Sequence, residues 1–141
     1  MSGPELIYSK EPDIQEAKEG SKGKLKLLEV QTNGIIPSRM RHVIKRYLKK
    51  AGFTNLKVEH KMGPNPFAMV LTATGEAKYP VTKEQESKLN YLRESVIYVL
   101  NQSKNGYPVH ASQADPELLR KKLSEVEPSL NKIYYSVRTS E

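Results

Sequence analysis

Residues 38–52 read Ser-Arg-Met-Arg-His-Val-Ile-Lys-Arg-Tyr-Leu-Lys-Lys-Ala-Gly. Met40, Val43, Ile44, Tyr47, Leu48 and Ala51 follow one another at spacings of 3, 1, 3, 1 and 3, the period of one helix face. At roughly 100° per residue they fall within an arc of about 140°. Arg39, Arg41, Lys45, Arg46, Lys49 and Lys50, with His42 among them, fill the remainder, and no acid interrupts them. The stretch therefore predicts a helix with one side that must be buried and a wholly basic side that must face water or an anion. Ser38 stands where a hydroxyl could cap the first turn. Gly52 stands where a chain leaves a helix through positive φ without a Cβ clash. A solvated helix usually gains from opposite charges four residues apart, and like charges cost about as much. A helix that gives up that gain is either an ordinary solvated face on a basic protein or a surface for an anion, with phosphate the best match.

On both sides of this helix the period changes to two. Leu56, Val58, His60 and Met62 alternate with Lys57, Glu59 and Lys61, which predicts a half-buried strand. Gly63-Pro64-Asn65-Pro66 breaks it, because two prolines cannot donate to a ladder. Phe67, Met69, Leu71 and Ala73 alternate again, predicting an antiparallel partner, and residues 77–81 suit a short third strand stopped by Pro80. Before the helix, residues 24–30 are a strand candidate with imperfect alternation, followed by a turn at Asn33-Gly34 and by Ile36, a candidate hydrophobic staple. Thr82 and Gln85 form a capping box opening a helix to about Gln102, with Leu89, Leu92, Val96, Val99 and Leu100 on its buried side and Tyr91 and Tyr98 at its rim. Residues 105–108 read as a loop. Asp115 and Pro116 are the N-cap and first residue of a further helix, and Leu130, Ile133, Tyr134 and Val137 suit a last short helix or a strand.

These elements predict an α+β fold, a small antiparallel sheet of about three strands with two helices packed on one face, plus a C-terminal helical extension. The expected organisation is a flexible acidic tail over 1–23, an α+β domain over 24–111 and the extension over 112–141. The sequence leaves open whether that extension packs on the domain.

Charge is unevenly placed along the 141 residues, whose net charge is +7. Residues 1–20 carry five acids and two bases, residues 21–62 eleven bases and two acids, and residues 63–141 ten bases and nine acids. A local excess makes a field with a direction, which argues for a binding surface better than overall pI does. With no cysteine, disulfides, zinc–thiolate sites and thiol nucleophiles are excluded. No run approaches the length of a membrane span and no leader precedes the polar N-terminus, so the expected protein is soluble and intracellular, cytoplasmic or nucleoid/nuclear, with no membrane partner.

From 38 to 102 the order of elements resembles the double-stranded-RNA-binding domain. The most specific match is His-Lys-Met-Gly-Pro-Asn-Pro-Phe-Ala-Met-Val-Leu at 60–71, with Gly63, Pro64 and Phe67 where that family often has Gly-Pro after its first strand and a phenylalanine opening its second. The resemblance implies that the first helix meets a minor groove, the 63–66 loop with Asn65 the next one, and Lys83 and Lys88 the phosphates between. The chain departs from the family at Lys83-Glu84-Gln85-Glu86-Ser87-Lys88, where two acids stand among the expected lysines, and in lacking the loop histidine.

Other chemistry finds little support. His42, His60 and His110 are far apart, with no zinc-ligand spacing, and no phosphate-cradling glycine loop or nucleophile elbow is present. The expectation is a protein without enzymatic activity, cofactor or metal, binding nucleic acid, RNA or DNA with duplex favoured, by counterion release. The expected contacts are Arg39, Arg41, His42, Lys45, Arg46, Lys49 and Lys50, extended by Lys57, Lys61, Asn65, Lys83 and Lys88. Only ten aromatics occur, eight of them tyrosine, and they form no stacking run, which favours duplex over single-strand readout. The alternative is an interaction or accessory module, docking an acidic partner on the basic helix or an apolar one on the C-terminal helices.

Overall fold

A computed structural model describes residues 24–63, 68–104, 107–108 and 110–131. The expected acidic tail over 1–23, Asn65 with Pro64 and Phe67, and the segment 132–141 lie outside the described residues. Three strands, β1 (Leu25–Thr32), β2 (Thr54–Met62) and β3 (Met69–Glu76), form one antiparallel sheet in the order β1-β3-β2. Two helices, α1 (Ser38–Lys50) and α2 (Lys83–Leu100), cover one face of it, α1 over β2 and α2 over β1. The small α+β architecture is the expected one.

The third strand is not the expected one. Residues 77–81 form no strand, and the slot beside β3 belongs to β1, ahead of the helix in sequence. The element order is strand, helix, strand, strand, helix, so the helix-first order of the family named above is not followed. The imperfect alternation of 24–30 has a structural cause. The β1–β3 register shifts between Lys26 and Leu28, a bulge that resets the parity of facing side chains. Leu25 before it, Leu27 within it, and Leu28, Val30 and Thr32 after it are therefore all buried. Gly75 lies beside this bulge. A Cβ there would fall 2.9 Å from Leu27 Cδ1 and 2.8 Å from Leu56 Cδ2.

β2 keeps its alternation. Val58, Ala73 and Leu28 stand in one cross-strand row and His60, Leu71 and Val30 in the next, on the helix-covered face. Glu59, Thr72 and Glu29 form the row between them, on the other face, which no described element covers.

At its start, α1 has Pro37 rather than Ser38 in the cap position, with no side-chain cap bond. Pro37 O accepts from Met40 N (3.0 Å), and its ring presets φ at −60°. With Pro37 as cap the staple partner of Ile36 would be Arg41, so no apolar pair forms; Ile36 is buried and its N–H donates to His60 Nε2 (3.1 Å). The end of α1 is as expected. Gly52 has φ +105°, its N–H donates to Lys49 O and that of Phe53 to Leu48 O, both at 3.1 Å, which is the Schellman closure.

The capping box of α2 is present, with Gln85 N–H donating to Thr82 Oγ1 (3.0 Å) and Thr82 N–H to Gln85 Oε1 (3.0 Å). The Gln85 amide also donates to Ala51 O (2.9 Å), and the Tyr47 hydroxyl to Lys88 O (2.8 Å), joining the two helices. After α2, where residues 105–108 were expected to be a plain loop, β4 (Ser103–Lys104) and β5 (Tyr107–Pro108) pair as a minimal hairpin.

The described part of the C-terminal extension, 112–131, packs on the domain. A short 3₁₀ turn, Ala111–Gln113, receives the Asn33-Gly34 turn: Ala111 N–H donates to Asn33 Oδ1 (3.0 Å) and the His110 ring lies against Gly34. Helix α3 (Pro116–Ser124), capped by Asp115 as expected, rests on both α1 and α2. Its Leu119 and Leu123 are fully buried, and with Leu130 they belong to the same apolar core as Tyr47, Leu48, Leu89 and Leu92. The Tyr91 hydroxyl anchors α3: it donates to Glu125 Oε1 (2.7 Å), with Lys122 O as a second acceptor within reach at 3.0 Å. The layers are sheet, helix pair and α3.

Candidate nucleic-acid interface

The burial of Met40, Ile44, Tyr47 and Leu48 fixes the rotation of α1. It follows that His42, Lys45, Lys49 and Lys50 are exposed, with Arg41 and Arg46 half-exposed. Among the described residues, Arg41, Lys45, Arg46, Lys49 and Lys50 have no ion-pair partner. Lys45, Arg46, Lys49 and Lys50, with His42, line an open groove of about 800 Å³ whose other wall is the Phe53–Leu56 segment. In that wall Asn55 has φ +51°. Its conformation is held from outside, because its carbonyl accepts from Lys24 Nζ (2.8 Å) and its amide donates to Glu76 Oε1 (2.8 Å). The wall is thus a built feature: Thr54 and Asn55 line the groove across from the cations while their side chains bond Glu76.

Arg41 lies on the sheet-side edge of the helix, close to His60. Burial first, and the Arg41 charge second, lower the His60 pKa from its ordinary value of 6.5. His60 is accordingly neutral at pH 7 and serves as the acceptor that holds Ile36 N–H.

Arg39, on the other edge, is drawn toward α3, where its Nη2 lies 3.5 Å from Glu117 Oε2. Glu117 also pairs with Arg120 at 2.7 Å. Between α1 and α3 is a second, smaller recess of about 120 Å³, lined by the polar side chains of Arg39, His42, Arg46, Glu117 and Arg120 and the apolar ones of Val43, Pro116 and Leu130. His42 and Arg46 border both concavities.

Three of the expected contacts are not brought to this surface. Lys57 and Lys61 point from β2 to the uncovered face of the sheet, opposite α1, where they flank Glu59 at 3.5 and 4.0 Å. The alternation that buries Val58 beneath α1 requires this. Lys88 is mostly buried and bonds Glu127 Oε1 at 3.0 Å, so it ties the C-terminal segment to α2 rather than meeting a ligand. The Ser129 hydroxyl first, and Lys88 after it, hold the Glu127 carboxyl below its usual range against the opposing effect of burial. Asn65 is outside the described residues. Lys83 is exposed in the first turn of α2, the turn that Gln85 joins to the C-terminal end of α1.

Sequence reasoning missed Thr54, Asn55, Glu117 and Arg120. Asn55 gave a signal, since Asn tolerates the left-handed region. Glu117 and Arg120 share a helix face by their spacing of three, but only the docking of α3 brings them beside α1. Comparison with protein-family models, with curated proteins and with solved structures gives no significant match.

Proposed function

We propose that this chain binds the phosphate backbone of a nucleic acid, without catalysis, in the groove along α1. The observation that carries this reading is the row of Lys45, Arg46, Lys49 and Lys50 on one open groove, none with a carboxylate in ion-pair range among the described residues. Like charges four residues apart, as at Arg41, Lys45 and Lys49 and at Arg46 and Lys50, cost helix stability. A bound polyanion reverses that cost, and release of its condensed counterions drives association. The contacting set is Arg41, His42, Lys45, Arg46, Lys49 and Lys50, with Lys83 at the adjoining end of α2. Duplex is favoured over single strands because the groove carries cations and no exposed aromatic row. The resemblance of 60–71 makes duplex RNA the first probe. The protein would act where nucleic acid is present, in the cytoplasm or a nucleoid or nucleus.

The test is binding to matched duplex RNA, duplex DNA and single strands at two salt concentrations. Affinity should fall steeply with salt and with little regard to sequence. Weak salt dependence, or capture of an acidic protein in place of nucleic acid, would favour a protein-docking role for the same helix.

A further inference from the structure

We propose that the recess between α1 and α3 receives one unstacked base of the strand bound in the groove, a pyrimidine, with cytosine preferred over uracil or thymine. This rests on the nucleic-acid reading and adds to it a site that reads a base.

Size comes first. An apolar cavity of about 150 Å³ takes up a benzene ring. The recess holds about 120 Å³, a little less than that cavity, and opens to solvent, so a single six-membered ring enters it with one edge outside and a fused bicycle would leave more of its surface outside. Its chemistry suits such a ring. Val43, Pro116 and Leu130 give apolar contact, and Arg39, Arg46 and Arg120 bring guanidinium planes on which a base can stack. A bare phosphate is the poorer occupant, because the Glu117 carboxylate, already shared by two of those arginines, would repel it and three of the lining residues offer it no donor.

Glu117 sets the preference. Its Oε1 lies 2.7 Å from Arg120 Nη2 and its Oε2 lies 3.5 Å from Arg39 Nη2. A carboxylate has about four lone-pair positions, so acceptor capacity remains. The exocyclic amine of cytosine donates to it; the O4 of uracil or thymine would face it with a second acceptor.

The location links base to backbone. His42 and Arg46 border both the recess and the groove. A nucleotide with its base in the recess therefore keeps its phosphate beside Arg46 and within the field of Lys45 and Lys49.

The experiment uses the full chain and one hairpin duplex, in RNA and DNA forms, either blunt or with a one-nucleotide 3′ overhang. A cytosine overhang should tighten binding on the order of tenfold over the blunt form, and uracil or thymine should fall roughly fivefold short of cytosine. Glu117→Gln should remove the difference between the pyrimidines while holding blunt-duplex affinity within about threefold. Cytidine 5′-monophosphate added to the unaltered protein should shift the methyl resonances of Val43 and Leu130. Equal affinity for blunt and overhanging duplexes would overturn the recess as a base site and leave the groove reading standing, as would unmoved Val43 and Leu130 methyls. Failure of every duplex to bind at low salt would overturn the groove reading and this inference together.

Discussion

Gly34 and His60 show how single residues hold the basic helix in place. Gly34 has φ +123°, and a Cβ there would fall 2.2 Å from His110 Cε1. Gly34→Ala combines left-handed strain with loss of the contact between the β1–α1 turn and the 3₁₀ turn. It should lower the urea midpoint by the equivalent of about 1–3 kcal/mol with the slope unchanged. His60 contributes through pH. Its pKa in the folded chain is lowered by burial and then by Arg41, so the unfolded chain binds more protons at mildly acid pH. Its contribution is complete above about pH 6.5 and is lost as pH falls from there toward the folded value. A thermal melt series from pH 8 to pH 5 should show this loss, and His60→Gln should flatten that part of the profile. At this scale the sequence was legible where a residue's own geometry decides, as at Gly52, Thr82 and Asp115. It was not legible where a partner distant in sequence decides. Lys88 looks like any exposed lysine in a list of residues, and only the return of Glu127 to α2 removes it from the surface.

Among the elements, α1 was the most legible, because six apolar residues at helical spacing leave one rotation for the cations. β1 was the least legible, because a bulge places Leu25, Leu27 and Leu28 on one face and erases strict alternation. Residues 77–81 had the better period and still form no strand, because β1 fills the slot beside β3. The same alternation that makes 54–62 a strand sets Lys57 and Lys61 on the face away from α1 once Val58 is placed under that helix. α2 depends on its start. Thr82→Ala removes one half of the capping box and should cost about 1 kcal/mol, read as a lower melting temperature. α3 depends on Leu119 and Leu123, both fully buried against α1 and α2. Leu119→Ala should cost about 2–5 kcal/mol, and it should loosen the recess, seen as faster amide exchange in α3, before the sheet opens.

In the whole molecule, the sheet and helix pair form a scaffold that exposes one helix face, and α3 narrows that face by covering its Arg39 edge. What remains is a groove of cations with a small recess at its side. The central claim is that Lys45 and Lys49, exposed and free of ion pairs among the described residues, meet phosphate. The most direct measurement is the dependence of duplex affinity on salt, for the unaltered chain and for a Lys45→Glu, Lys49→Glu variant whose melting temperature is unchanged. The six cations of the contacting set predict a slope of log affinity against log salt near −5, and the variant should weaken binding to every sequence alike and make the slope shallower by about 2. Equal affinity and equal slope for the two proteins, or no duplex binding at low salt, would contradict it.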